Sequence, residues 1–410
     1  MKTMTPAEVM KLREDFPLLE RTIYGKPLIY LDNAATTQTP RSVVEMIEEM
    51  YYRHKANVHR GVHTLSQEGT EMMEQTRSRV REFINAESTR EVIFTRGATE
   101  AINLVATSYG CRLKEGDEII LTQMEHHANI VPWQLLRDRT GIEIKVVPLH
   151  SDGSLDMEAY RGLLNERTRI VSAAHVSKVL GTVNPVKEMA RLAHEAGAIM
   201  VVDGAQAIAH TKVDVRDIDA DFYAFSSHKM YGPTGIGVLY GREKLLEEMP
   251  PYQGGGEMIA KVTFAHTTWA ELPFKFEAGT PDYVGIASFR TAIDYLTGIG
   301  TEAIARHEEE LMAHAQARMV AEIPEIRIFG TAPGKAGIIS FLLGTAHHYD
   351  TGLLLDKLGI AVRTGHHCAQ PLMEWLGIEG TVRASFALYN TMEEADRFVD
   401  ALIRIAPMLV

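Results

Sequence analysis

Short apolar, β-branched runs alternate with stretches whose apolar residues recur every three or four positions through the first two-thirds of the chain. Glu91–Thr95, Asp117–Thr122, Ile142–Pro148, Arg169–His175, Ala198–Asp203, Asp221–Ser227 and Gly235–Tyr240 read as strands. Between several of them lie helical patterns such as Leu155–Leu164 and Val186–Ala196. This alternation predicts βαβ units around a mainly parallel sheet. Beyond Gly285 the pattern changes to long helices at Ala287–Thr297, Thr301–Ile323 and Thr391–Ile405, framing short strands at Glu325–Phe329 and Gly337–Leu342. The fold class expected is α/β, with a large, mainly parallel-sheet domain over residues 22–286 and a smaller α+β domain from residues 1–21 and 287–410. No internal repeat, low-complexity tract or Ser/Pro linker separates the two, so they are expected to share a packed interface.

Composition narrows the partners. A chain of 410 residues, 45% hydrophobic and 23% charged, has material for a sizeable core. No uncharged apolar run reaches the roughly 18 to 20 residues that span a bilayer, and Met1–Tyr30 is too charged for a signal peptide. The expected address is cytoplasmic, with no membrane partner. With 54 acidic against 42 basic residues the net charge is -12, which repels a nucleic-acid backbone but leaves room for a local basic pocket. Two cysteines far apart, Cys111 and Cys368, exclude a disulfide framework and a four-cysteine zinc site.

Candidate chemistry gathers after the strands. Asp203-Gly-Ala-Gln206 follows one apolar run and Ser226-Ser-His228-Lys229 the next, so an acid and a lysine stand where open α/β sheets place their ligands. A lysine desolvated there is readily deprotonated and suited to Schiff-base chemistry; a helix cap and a solvated lysine are the bland alternatives. Arg96-Gly97-Ala98-Thr99 leads from a strand into a helix, which suits a phosphate cradle or, equally, a plain N-cap at Thr99. In Glu125-His126-His127-Ala-Asn129 one imidazole can lie across a flat ligand or move a proton. His194-Glu195 lacks the second His of a zinc hydrolase, and no metal site is expected.

Arg363-Thr-Gly-His366-His367-Cys368-Ala-Gln-Pro371 reads as an exposed turn. Imidazoles and Arg363 around Cys368 favour the thiolate, the form that attacks, whereas Cys111 has no such company. Arg383 in a strand-like run can clamp a carboxylate or serve as a structural salt bridge.

These residues, with Tyr30-Leu-Asp-Asn33-Ala-Ala, His59-Arg60-Gly-Val-His63-Thr-Leu, Phe94-Thr-Arg-Gly-Ala-Thr99-Glu-Ala-Ile-Asn103 and Phe276-Glu-Ala-Gly-Thr280-Pro, follow one another in an order that covers nearly the whole chain. The set resembles the Suf-type, group II cysteine desulfurases, which are fold-type I transferases dependent on pyridoxal 5'-phosphate (PLP). The Arg-Thr-Gly-His-His-Cys loop is particular to that branch. The resemblance implies that Lys229 carries the cofactor, that Asp203 pairs with its pyridinium nitrogen, and that His126 stacks on its ring. It implies that Gln206 bonds the phenolic oxygen and that Ala98, Thr99, Ser226, His228 and, across a dimer interface, Thr280 hold the phosphate. Asn33 and Arg383, with Arg363, match the substrate-carboxylate positions, and Cys368 matches the nucleophile that takes sulfur from L-cysteine, leaving L-alanine. A homodimer, with a hairpin at Tyr252–Met258 reaching the neighbouring site, and a sulfur-acceptor protein of the Suf system feeding Fe-S cluster assembly complete the implied picture.

The chain departs from that pattern at Lys178, in His175-Val-Ser-Lys178, where the family has an Asn whose amide bonds the phenolic oxygen. Pro281-Asp282 in place of Pro-Asn is a smaller change. Selenocysteine lyase or cysteine sulfinate desulfinase is the alternative activity within the same chemistry. A low-activity, partner-binding relative is the alternative that Lys178 raises.

Overall fold

The computed structural model describes residues 4–409. Seven strands form the large sheet in the order Val92–Thr95, Gly237–Gly241, Phe222–Ser226, Ile199–Asp203, Thr168–Ala174, Glu118–Thr122, Glu143–Val147. From Phe222–Ser226 to Glu143–Val147 all pairings are parallel, whereas Gly237–Gly241 runs antiparallel to both of its neighbours. Alternate side chains enter the two faces: Ile119 and Leu121 pack with Leu104 and Trp133, while Ile120 packs with Met200 and Val202. Burial on both faces is why these strands read as unbroken apolar runs.

Val92–Thr95 points the same way as the parallel set, so Thr95, Thr122, Ala174, Asp203 and Ser226 all end at one edge of the sheet. That edge is where such sheets bind ligands. The antiparallel strand passes the turn after Thr95 so closely that a Cβ on Gly237 would lie 2.3 Å from Cα of Gly97, which restricts the position to glycine.

Ile326–Phe329, Ile338–Leu343, Thr381–Ser385 and Arg363–Gly365 make a second, antiparallel sheet in that order. Leu311 and Met319 of the helix Thr301–Glu322 and Phe398 and Leu402 of the helix Met392–Leu409 share its core with Ile339 and Phe341. Ile29–Tyr30 joins this region in parallel to Ile360–Ala361, with Ile29 and Leu31 in the same core. The helix expected from Ala287 starts at Tyr283, because Asp282 caps it: Oδ1 accepts the Gly285 N–H at 2.9 Å. It packs on the helices Arg41–Arg53 and Thr64–Phe83.

The segment Tyr252–Met258 contains no strand, correcting the expected hairpin there. The hairpin follows at Ile259–Val262 and Thr267–Trp269, since three consecutive glycines offer nothing to pack while the Val and Thr residues suit a ladder. Among the described residues no helix is long and apolar enough to cross a membrane.

Candidate active site

The cleft at the sheet edge is lined by the residues that follow each strand end: Ala98 and Thr99, His126, Lys178, Asp203 and Gln206, and Ser226, His228 and Lys229. Arg363 and Cys368 close it from the second sheet.

Lys229 ends a short 3-10 turn directly after the strand Phe222–Ser226. Burial pulls its amine below the ordinary lysine range; Asp203 opposes that shift, and Arg383 and Arg363 add to it. Asp203 is buried, accepts the Ala205 N–H at 3.0 Å through Oδ1, and is pushed up by burial against the pull of Lys229. The two form an acid and a base whose proton states depend on each other.

His126 accepts the Ala128 N–H at 2.9 Å through Nδ1, so its ring proton sits on Nε2. Burial, then Lys178 and Lys229, lower its pKa to about 2. It is a neutral plane beside the cleft. Glu125 ties its own turn to the next strand by accepting from Thr122 Oγ1, Asn129 Nδ2 and the Ala174 N–H, which fixes where His126 stands. Sequence reading missed this role, because nothing in Glu-His-His shows which side chain turns inward.

Ser226 Oγ accepts the Ala98 N–H at 2.8 Å, leaving its hydroxyl hydrogen to donate into the cleft. Gly97, not Thr99, holds the cap position, so Thr99 is the second helical residue and stands exposed at the cleft. His228 is held neutral, its pKa lowered to about 4 by burial and by Lys229, and its Nδ1 lies 3.2 Å from Thr36 Oγ1. Thr280 is not in this cleft; it lies with Tyr252 and Gly279 in a separate depression.

Arg383 is fully buried, donating Nη2 to Asp32 Oδ1 at 2.8 Å and Nη1 to the Lys178 carbonyl at 3.1 Å. Its Nε has no partner among the described residues. Arg363 is its register neighbour on the adjacent strand and faces the cleft, with Nη1 4.0 Å from Asp32 Oδ2. Asn33 does not line the cleft. Its Nδ2 donates to the carbonyls of Ser385 and Tyr30 and to Asn390 Oδ1, and its Oδ1 accepts from Tyr389, so no polar hydrogen remains for a carboxylate. The neighbouring Asp32, not singled out in the sequence, is the residue that orients the guanidinium groups.

Lys178 is buried in the cleft, and its amine is pushed down to about 6 by burial, then by Lys229 and Arg383, with Cys368 opposing. Burial in the cleft therefore favours the uncharged form of this amine.

The turn that carries Cys368 is less exposed than its sequence implies: His367 is buried, with Nε2 2.8 Å from Thr381 Oγ1, and Cys368 is half-buried. The Cys368 N–H donates to His366 Nδ1 at 3.0 Å. Cys111 is exposed and outside the cleft, on a turn after the sheet-packed helix. A buried lysine, a buried carboxylate, a cysteine and a guanidinium converge on one strand-end cleft, an arrangement suited to amine and carbonyl chemistry on an anionic substrate.

Residues 29–398 match the aminotransferase class-V family, and the chain belongs to that family. A cysteine desulfurase of Salmonella agona (strain SL483) is 52% identical over 404 residues, covering 98% of this chain and 99% of the relative. Among solved structures, the apo cysteine desulfurase of Thermococcus onnurineus NA1 superposes with a TM-score of 0.93 at 38% identity. The Escherichia coli cysteine desulfurase CsdA, in its S-sulfonic acid form, does so with 0.91 at 38% identity. Both alignments cover each chain completely.

Proposed function

We propose that the chain is a PLP-dependent cysteine desulfurase that converts L-cysteine to L-alanine and keeps the sulfur as a persulfide on Cys368. The observation that carries this reading is the placement of Cys368 in the same cleft as Lys229 and Asp203. The residues fit the cofactor: a depressed amine for its aldehyde, a buried carboxylate for its ring nitrogen, a neutral imidazole for its face, and hydroxyl donors at Thr99 and Ser226 for its phosphate. When bound, PLP supplies an electron sink for the substrate's α-carbon.

The chain's own residues account for the remaining work. Lys229, whose amine burial pulls below the ordinary lysine range, takes the α-proton and returns one to the substrate frame. Arg363, oriented together with Arg383 by Asp32, attracts the substrate carboxylate. The Cys368 thiolate forms an S–S bond with the substrate sulfur as the C–S bond breaks. The electron pair of that bond stays on the substrate carbon and ends, with a proton, as a C–H bond of alanine.

The same reading includes a homodimer, a Suf-type acceptor protein for Fe-S cluster assembly, and a cytoplasmic location. The fully exposed Phe264 at the tip of the hairpin, with Val262 and Trp269 also exposed, supports an apolar partner surface. Thr280 would then serve the partner's cleft. We likewise place the division between the two domains near Ala287. The test is to add L-cysteine to the PLP-loaded protein and quantify alanine, sulfide and the mass of the Cys368 peptide. Parallel arms with selenocysteine and cysteine sulfinate separate the alternative lyase activities; cleavage of those two alone would replace the proposal.

A further inference from the structure

A buried polar chain beneath the cleft is left unused by the chemistry above. Gln206 lines the cleft and is 4% exposed. His210, four residues on and 6% exposed, has Nε2 3.3 Å from the Gln206 amide nitrogen and Nδ1 2.5 Å from Glu308 Oε2. Glu308 is 1% exposed and comes from the helix Thr301–Glu322, in the second half of the chain. The close approach of that helix depends on Gly337, where a Cβ would lie 2.9 Å from the Glu308 Cβ. Two buried oxygens, Gln206 Oε1 and Glu308 Oε1, have no hydrogen-bond partner among the described residues.

A nitrogen facing a nitrogen is a hydrogen bond only if one of them carries a lone pair. If the His210 ring holds a single proton, on Nδ1 toward Glu308, then Nε2 accepts from the Gln206 amide and the Gln206 oxygen faces the cleft. If both ring nitrogens are protonated, Nε2–H requires an acceptor, and the Gln206 oxygen becomes one by a half-turn of its amide. That half-turn leaves the side chain's shape unchanged, and the two orientations are told apart only by their hydrogen bonds. It pairs the orphaned oxygen and directs the NH2 to the cleft.

The charges around the ring favour the second state. Burial opposes the charged ring, and Lys229 opposes it more weakly, but Glu308 at contact distance outweighs both and raises the His210 pKa. Tyr231 and Tyr389, which also feel Glu308, are driven well above the ordinary tyrosine range and stay neutral.

We propose that the Glu308–His210 pair fixes the Gln206 amide with its nitrogen toward the cleft, so that this position offers a donor to an anionic oxygen of the bound cofactor. His210 and Glu308 are positioning residues. The proposal rests on the reading that Gln206 meets the phenolic oxygen of PLP.

The test uses Glu308→Gln, which keeps shape and removes charge, with His210→Gln as a second variant. Nitrogen-15 signals of histidine, assigned by their loss in His210→Gln, should show the doubly protonated His210 ring persisting to higher pH in the unaltered protein than in Glu308→Gln. A neutral ring in the unaltered protein overturns the proposal. The equilibrium constant for PLP release should rise roughly tenfold in either variant, the loss expected for one charge-assisted hydrogen bond. It should rise no further when either substitution is added to Gln206→Leu. Equal effects with and without the Gln206 amide would show that the pair acts through the fold alone and overturn the relay. If the unaltered protein yields no borohydride-trapped pyridoxyl group on Lys229, the cofactor reading fails, and with it the donor role. The ring signals then report on the ion pair alone.

Discussion

The main-chain N–H of His127 donates to the carbonyl of Cys368 at 2.8 Å, and His127 Nε2 accepts the Gln370 N–H at 3.2 Å. The segment that carries His126 therefore also clamps the turn that carries Cys368. His367 and Cys368 both adopt left-handed backbone, with φ of 52° and 56°, at a cost of about 1 to 2 kcal/mol each for non-glycine residues. The hydrogen bonds to His127 and His366 offset that strain and keep the turn short.

For Cys368→Ser the expected outcome is loss of alanine formation by more than about a hundredfold, since a hydroxyl is a far poorer nucleophile toward sulfur at neutral pH. Borohydride trapping at Lys229 should be unchanged. Peptide mass mapping after L-cysteine addition checks it, and a persulfide found on Cys111 would reassign the nucleophile.

Lys229→Ala removes both the amine that holds the cofactor and the base for the α-proton. Alanine production should fall to background while PLP is still retained through its phosphate. Pyridoxyl label mapped to another lysine in the unaltered protein would refute this assignment.

Lys178→Asn tests the neutral amine. The Lys178 pKa is near 6 in the folded protein and near 10.5 in the unfolded chain, so between those values the unfolded chain binds the additional proton. Stability contributed at this position therefore falls as pH drops from about 10 to 6. The variant should melt a few degrees higher near pH 6, with the difference vanishing toward pH 10. Alanine formation should match the unaltered protein at pH 8 and exceed it at pH 6, where Lys178 takes up a proton beside Lys229. Coincident melting curves at pH 6 would contradict the burial of the amine.

Acid should unfold this protein through its imidazoles. His175 and His367 are buried with pKa values lowered to about 4 and about 2, mainly by burial. Below about pH 6.5 the unfolded chain protonates these sites and the folded chain does not, so stability drops as pH falls, by up to about 1.4 kcal/mol per pH unit for each histidine. Melting temperatures at pH 7, 6 and 5 should descend at a steepening rate. A flat profile would show that the two rings are not held neutral.

Much of this was legible in the sequence where local chemistry and position agree. Asp203 and Lys229 each follow an apolar strand, and a strand-end rule brings them together without knowledge of the path between. Direction was harder to read: Gly235–Tyr240 looks like its parallel neighbours, and only its pairing reveals the reversal. Asn33 turns away from the cleft and Asp32 toward the arginines because adjacent residues in a turn point opposite ways according to backbone angles that composition does not record. Glu308 was hidden in the run His307-Glu308-Glu309-Glu310, where the first two side chains are buried and the last two exposed. Its partner His210 lies in a turn of another sheet, and no periodicity links the two.

The pairing of Ile29–Tyr30 with Ile360–Ala361 has a consequence for the order of events during synthesis. The strand that precedes Asp32 has no partner until the residues through Ile360 have followed, and Asp32 itself waits for Arg363, Arg383 and Ser385. Contacts of such sequence separation form late and slowly. The carboxylate that orients both guanidinium groups is thus among the last parts of the cleft to find its place, and a nascent chain halted short of residue 363 would hold Lys229 and Asp203 without the arginines that face them.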